Sequence, residues 1–251
     1  MRLACEVDGA GPRLVLVHGF TQTARSWGPL ADDLAADHEV VRVDAPGHGR
    51  SARVEAGLWE GAQLLVETAG AGAYLGYSMG GRLCLHAALA RPEALTALVL
   101  VGATAGIDDP EERAARVAAD EAWARCLESE GIDAFLHRWL AQPLLAGLDD
   151  GHAGLESRRE NTVAGLASSL RRAGTGAQEP LWDRLGSLSL PVLVLAGEHD
   201  ERFTALGRRL VASIGSNAEM AVIPGAGHCA HLEAPEAVLA VVRPWLAAHQ
   251  I

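Results

Sequence analysis

Six short runs rich in Val, Leu and Ala recur along this 251-residue chain, and stretches of helical pattern separate most of them. The runs are Leu14–Val17, Val40–Val43, Ala73–Leu75, Ala97–Val101, Val192–Leu195 and Ala221–Ile223. Several are almost continuous in Val and Leu. A strand with one wet face alternates apolar and polar positions, whereas a strand covered by helices on both faces does not. Repeated strand–helix alternation of this kind predicts an α/β fold: a doubly wound, mostly parallel sheet. Met79–Ala90 reads as a helix that stops at Arg91-Pro92, because a residue before proline is pushed out of the helical region.

The alternation breaks between about 106 and 180, where only helices are expected. Asp109-Pro110-Glu111-Glu112 is a strong helix start, with an N-cap, a proline at the first position and acids in the first turn. That helix is expected to end near Gly131. A second covers Asp133–Leu140, and a third runs from Leu155 to Ala173 and stops at Gly174. A helical block between two sheet strands predicts a cap over the sheet edge where ligands bind. The expected organisation is a core of residues 1–105 and 181–251 with a cap of residues 106–180.

Composition excludes several functions. Acidic residues number 32 and basic residues 21, a formal charge of −11, which repels nucleic acid and anionic lipid. No apolar run approaches the roughly 20 residues of a membrane span. Met1–Gly9 carries no secretory apolar region. A cytoplasmic chain with neither nucleic-acid nor membrane partner is expected. Every basic residue is arginine, so lysine chemistries (Walker A, Schiff base, lysine general base) are ruled out. An anionic ligand must be met by Arg, His or backbone N–H groups. Cys5, Cys84, Cys126 and Cys229 form no CxxC pair. His228 and His231 lack the glutamate of a zincin motif, and no G-x-G-x-x-G follows a strand. Neither a metal nor an organic cofactor is expected.

Gly76-Tyr77-Ser78-Met79-Gly80 is a G-x-S-x-G sequence between a predicted strand and a predicted helix, the setting that a nucleophile elbow requires. A serine hydroxyl becomes reactive when a histidine takes its proton and a carboxylate orients that histidine. In chain order the acid should follow a late strand. Asp200, after Val192–Leu195, is the candidate, with Glu198 as the alternative. The histidine should lie in the loop after the last strand, where Gly225-Ala226-Gly227-His228 stands. His231 competes with His228, and a buried packing role suits His231 better. An oxyanion hole needs two backbone donors. The N–H groups of Met79 and Phe20 are assigned, the latter from His18-Gly19-Phe20 after the first run. His18 reads as a residue that organises this loop.

Three arginines bear on the ligand. Arg82 lies one helical turn after Ser78 among apolar neighbours, where it either serves the site or snorkels out to solvent or a nearby acid. Arg159 falls on the Leu155, Val163, Leu166, Leu170 stripe of the third cap helix, with Arg158 beside it; an arginine on such a stripe is either at its solvent end or directed into a pocket. Arg116 shares a face with Trp123 and Leu127, although a surface pair with Asp120 four residues on would explain it equally.

The elbow, His18-Gly19, Asp44-Ala45-Pro46-Gly47-His48-Gly49-Arg50-Ser51, Gly197-Glu198-His199-Asp200 and Gly225-Ala226-Gly227-His228 together resemble the α/β-hydrolase superfamily along essentially the whole chain. Within it, Gly76–Arg82, Gln142-Pro143 after Trp139, Arg159-Glu160-Asn161, Gly174-Thr175-Gly176-Ala177-Gln178 and Asp200 with Phe203 resemble the 2-succinyl-6-hydroxy-2,4-cyclohexadiene-1-carboxylate synthases of the menaquinone pathway. That resemblance implies a lyase. The Ser–His pair removes a carbon-bound proton from 2-succinyl-5-enolpyruvyl-6-hydroxy-3-cyclohexene-1-carboxylate, and pyruvate leaves. It also implies a small tricarboxylate partner, with Arg82, Arg116 and Arg159 as carboxylate ligands and Tyr77 and Trp139 lining the site. The family's lysine before the phenylalanine is Arg202 here, which keeps the charge. Two other readings use the same residues: a serine carboxylesterase or carbon–carbon bond hydrolase, and a small-molecule receptor on a hydrolase scaffold. Three arginines disfavour the first, and an intact Ser, acid and His set disfavours the second.

Overall fold

The computed structural model describes residues 2–148 and 154–251. Its sheet has seven strands: β1 (Cys5–Asp8), β2 (Arg13–Val17), β3 (Glu39–Val43), β4 (Gly72–Tyr77), β5 (Leu95–Val101), β6 (Val192–Gly197) and β7 (Ala218–Ile223). They lie in the order β1-β3-β2-β4-β5-β6-β7, and all pairs are parallel except β1 with β3. The six expected strands are present. β1 was not expected: it is a four-residue, half-exposed edge strand whose Cys-Glu-Val-Asp sequence carries no apolar run.

Helices cover both faces. α1 (Gly28–Leu34) and α9 (Pro235–Ala248) pack on one face; α2 (Leu58–Ala69), α3 (Met79–Ala90) and α7 (Glu201–Ile214) pack on the other. The alternation within each strand explains the division. Leu14, Leu16, Leu75, Val99 and Leu195 point to the first face, and Val15, Val17, Tyr74, Leu98 and Val194 point to the second. β2, β4, β5 and β6 are therefore buried on both sides, which is why their runs read as continuous Val and Leu.

Between β5 and β6 lie α4 (Pro110–Leu140), α5 (Leu155–Arg159) and α6 (Val163–Ala173), followed after β6 by α7 and after β7 by α8 (Ala230–Glu233) and α9. Asp109 caps α4 as its sequence implied, accepting the Glu111 and Glu112 N–H groups at 2.9 and 2.8 Å. The two helices expected over 110–140 are present as the two arms of α4, which meet at a kink where Gly131 leaves the helical region (φ 81, ψ 177). The single helix expected over 155–173 is instead two. It breaks at Glu160-Asn161-Thr162, and Thr162 starts α6 by accepting the Gly165 N–H at 3.1 Å. Phe135, Leu136, Leu127, Leu166 and Leu170 form a small separate core for these helices. The part of the expected cap at 149–153 lies outside the described residues. Among the described residues, no helix is long and apolar enough to cross a membrane.

The strand order reverses around β2: the chain moves from β2 to β3 on one side and then to β4 on the other. In an open parallel sheet, ligands bind beyond the carboxyl ends of the strands at such a point. The loop after β2 and the turn after β4 flank it here.

Candidate active site

Ser78 sits between β4 and α3 with φ 50 and ψ −108, in a region that side-chain-bearing residues rarely adopt. Glycines permit the turn. A Cβ on Gly76 would lie 2.5 Å from the Gly80 carbonyl oxygen, and one on Gly80 would lie 2.0 Å from that of Val17. The Ser78 N–H donates to the Val101 carbonyl at 2.8 Å, tying the elbow to β5.

The loops after β6 and β7 bring the other two groups to it. His228 Nδ1–H donates to Asp200 Oδ2 at 2.7 Å, and Ser78 Oγ stands 3.3 Å from His228 Nε2. Asp200 and His228 are buried. The other Asp200 oxygen accepts the Phe203 N–H at 3.0 Å, so the carboxylate also caps α7 and is held at both oxygens. With Nδ1 protonated towards Asp200, Nε2 presents its lone pair to the Ser78 hydroxyl. This arrangement can withdraw the serine proton and hold the resulting imidazolium. Glu198 stands apart, accepting the Gly225 N–H at 2.9 Å. His231 is buried, with ring centroids 4.1 Å from Tyr77 and 5.0 Å from Trp27, and Gln22 Nε2 donates to its Nε2 at 3.3 Å.

Phe20 and Met79 face the same cavity as Ser78. Met79 is the first residue of α3, so its N–H lacks a carbonyl four residues back. Among the described residues neither the Met79 nor the Phe20 N–H has a hydrogen-bond partner. The loop carrying Phe20 is braced from within: the Gly19 N–H donates to Gln22 Oε1 at 2.9 Å, and the Gln22 N–H returns to the Gly19 carbonyl at 3.1 Å. His18 and His48 brace it from beneath. His18 Nε2 accepts the Ala45 N–H at 3.0 Å while Nδ1–H donates to the Gly19 carbonyl at 2.8 Å. His48 Nε2 accepts the Thr21 N–H at 3.3 Å while Nδ1–H donates to the Pro46 carbonyl at 2.9 Å. Both rings are neutral and locked in one tautomer.

Burial lowers the pKa of four such rings: His18, His231, His86 (to about 4) and His48 (to about 3). Unfolded, each returns to an ordinary imidazole value of about 6.5. Their contribution to stability is complete above that value and is lost as the pH falls through it, down to about 4 for His86 and 3 for His48. The cost is about 1.4 kcal/mol per ring per pH unit. Urea unfolding at neutral pH and one to two units below the imidazole value checks this. A clear drop in stability is expected, and equal midpoints would contradict the neutral rings.

A cavity of about 830 Å³ opens above Ser78, and Arg82, Arg116, Arg158, Tyr77 and Trp139 contribute to its lining. Arg82 is buried; its Nη1 donates to the Ala173 carbonyl at 2.7 Å and to Gln178 Oε1 at 3.5 Å. Burial, and then the neighbouring Arg116, push its pKa down to about 10 against the opposing pull of Asp120. Asp120 is itself buried. It accepts Arg116 Nε at 2.8 Å and the Gly176 N–H at 3.3 Å. Asp120 is ion-paired with Arg116 and acts on Arg82 through space, and Asp108, Asp109 and Glu112 also contribute to the lining. The Gly174-Thr175-Gly176 segment crosses α4 in backbone contact: a Cβ on Gly176 would lie 2.5 Å from the Val117 nitrogen. Arg158 is buried and donates through Nη1 to Thr21 Oγ1.

A family model described as Alpha/beta hydrolase family matches residues 14–241. The chain belongs to the alpha/beta hydrolase family. It is 34% identical to the 2-succinyl-6-hydroxy-2,4-cyclohexadiene-1-carboxylate synthase of Enterobacter sp. (strain 638), over 91% of this chain and 89% of that protein. It also belongs to that synthase family within the larger one. Among solved structures, MenH from S. aureus is 26% identical with a TM-score of 0.90, covering 100% of this chain and 99% of that one. A thermophilic esterase from Thermogutta terrifontis is 25% identical with a TM-score of 0.83, covering 99% and 94%.

On this alpha/beta hydrolase scaffold, most of the residues singled out in the sequence come together: Ser78, Asp200, His228, Phe20, Met79, Tyr77, Trp139, Arg82 and Arg116. Arg159 does not. It is half exposed and its Nε donates to Asp133 at 2.7 Å on the surface. The reason is the break between α5 and α6: the apolar stripe that placed Arg159 assumed one unbroken helix. The neighbouring Arg158 is turned into the cavity instead. Arg116 satisfies both of its readings, since it pairs with Asp120 and lines the cavity. Two residues were not foreseen. Glu233 accepts the N–H groups of Gly227 and Cys229 at 2.6 and 2.9 Å, the two amides that bracket His228. Asn161 ties α5 and α6 to the loop after β2. Asn161-Thr162 is itself an N-cap signal, and it could have revealed both the break and the change of arginine.

Proposed function

We propose that this chain is a lyase that eliminates pyruvate from 2-succinyl-5-enolpyruvyl-6-hydroxy-3-cyclohexene-1-carboxylate, in menaquinone biosynthesis. The observation that carries this reading is the presence of Arg82, Arg116 and Arg158, three of the five arginines in the lining, around the cavity that also holds Ser78. A neutral ester has no use for them. A tricarboxylate does, because guanidinium forks hold carboxylates with charge and geometry together. Arg158 takes the carboxylate-binding role first given to Arg159. Residues 106–180 act as the cap that carries Arg116 and Arg158, with Tyr77 and Trp139 as apolar walls.

In this reading His228 Nε2 accepts the Ser78 proton, and the serine oxygen removes the proton from the ring carbon next to the succinyl carbonyl. The C–H electrons delocalise onto that carbonyl, where the Phe20 and Met79 N–H groups stabilise the oxyanion. The electrons then form a ring double bond from that carbon, the existing ring double bond shifts towards the carbon that bears the enolpyruvyl oxygen, and the C–O bond there breaks to release the enolate of pyruvate. The proton gained is held as the His228 imidazolium facing Asp200, and it passes, directly or through solvent, to the methylene carbon of the enolate, which completes pyruvate and leaves the imidazole neutral again. Four free thiols among the described residues suit a reducing compartment, and we place the enzyme in the cytoplasm.

Pyruvate release from the enolpyruvyl tricarboxylate, compared with p-nitrophenyl ester cleavage, tests the assignment. Fast pyruvate release with slow ester cleavage is expected; the reverse would make the chain an esterase. In the same assay Arg82→Ala is expected to cost about 2 kcal/mol in kcat/KM, roughly 30-fold, as loss of a charge-assisted contact does. Wild-type kinetics would remove Arg82 from the site.

A further inference from the structure

Thr21 follows Phe20, and its backbone has φ 67. A β-branched side chain in that region is a true outlier, and such a conformation persists only where its surroundings impose it. Thr21 is fully buried and is gripped at three points. Its N–H donates to His48 Nε2 at 3.3 Å, its hydroxyl accepts Arg158 Nη1, and its carbonyl accepts Asn161 Nδ2 at 2.7 Å. Two of these three partners come from the α5–α6 segment.

Asn161 is buried and has further partners. Its Oδ1 accepts the Gly49 N–H at 2.8 Å, and its Nδ2 also donates to the Arg158 carbonyl at 3.0 Å. One amide thus joins the loop after β2, the turn after β3 and the end of α5. The start of α6 is pressed onto that same turn without intervening side chains. A Cβ on Gly165 would lie 2.4 Å from the Gly47 carbonyl oxygen, and one on Gly47 would lie 2.5 Å from that of Gly165. The contact is backbone on backbone, four residues along the chain from Asn161.

We infer that Asn161 is a positioning residue for the oxyanion hole: by holding Thr21 in its positive-φ conformation, it makes the aim of the Phe20 N–H depend on the docking of the α5–α6 segment. This rests on the role proposed above for the Phe20 N–H. The consequence is a coupling. Arg158, placed to meet a substrate carboxylate, touches the same Thr21 that sets the oxyanion donor. Substrate capture and stabilisation of the developing charge thus share one small buried cluster.

Asn161→Asp is the sharpest test. It preserves shape and the acceptor for Gly49 but replaces the donor to Thr21 with an oxygen. Removal of an oxyanion donor costs about 10²- to 10³-fold, so a misaimed donor is expected to lower kcat by about 30-fold or more. KM should change by less than about threefold. Labelling of Ser78 by a small fluorophosphonate, which uses the same two N–H groups but none of the arginines, should slow by a similar factor. The labelling readout also separates the two claims: wild-type protein that labels at Ser78 but releases no pyruvate would overturn the proposed reaction and leave this one testable. Placing Thr21→Gly behind Asn161→Asp removes the strained φ, and the loss should shrink. Wild-type kcat and labelling with only a lower melting temperature, or a raised KM with unchanged kcat, would overturn the inference. Asn161→Ser supplies the same comparison if the aspartate variant does not fold.

Discussion

Ser78→Ala is expected to lower pyruvate release by about 10⁴-fold, the upper end of what one positioned proton-transfer group contributes. The hydroxyl is the only group removed. It stands 3.3 Å from His228 Nε2 and joins the imidazole to the cavity. Without it, His228 would have to reach the substrate carbon directly from a position set for a serine oxygen. Nothing in the fold depends on this hydroxyl. The turn is held by the Ser78 N–H bond to Val101 and by the glycines around it, and alanine has the same preference as serine against φ 50. Unfolding midpoints of variant and wild type should therefore agree closely. Activity within tenfold of wild type would remove Ser78 from the chemistry.

Gly80→Ala should do the opposite, acting on stability before activity. The added carbon would sit 2.0 Å from the Val17 carbonyl oxygen and 2.5 Å from that of His18. Neither oxygen can retreat. Val17 ends β2, which is bonded to β3 on one side and β4 on the other, and the His18 carbonyl begins the loop that carries Phe20. Either α3 moves away from β2 or the strand end shifts, and both break a packed core. Overpacking against backbone belongs among the severe substitutions, about 4 kcal/mol or more. For a chain of this size that lowers the melting temperature by roughly 8–16 °C. A shift of under about 2 °C would mean that the elbow is looser than its geometry implies.

The strands inside the sheet were legible because burial on both faces leaves a run of Val and Leu that little else produces, and the bounds of α3 follow from Ser78 and Arg91-Pro92. The edge strand β1 was not legible. Its stability comes from pairing with β3 and from surface charges such as Arg42 against Glu6 at 3.4 Å, which leave no apolar signature. The serine, acid and histidine were readable because each follows a strand whose end faces the same edge. The arginines were harder. Successive residues on a helix point about 100° apart, so one misjudged helix break exchanged the surface Arg159 for the buried Arg158. The bracing of the loop after β2 by His48, Asn161 and His231 could not be read at all. It joins residues from four segments through single hydrogen bonds, and no spacing along the chain encodes that.

In the proposed reaction a serine–histidine relay beneath arginines removes a carbon-bound proton so that pyruvate leaves. Its most direct measurement uses enolpyruvyl substrate deuterated at the ring carbon beside the succinyl carbonyl, with pyruvate and product analysed together. One pyruvate released for each deuterium lost from that carbon is the predicted result. Pyruvate formed with the deuterium still in place, or no pyruvate from wild-type protein at all, would contradict it.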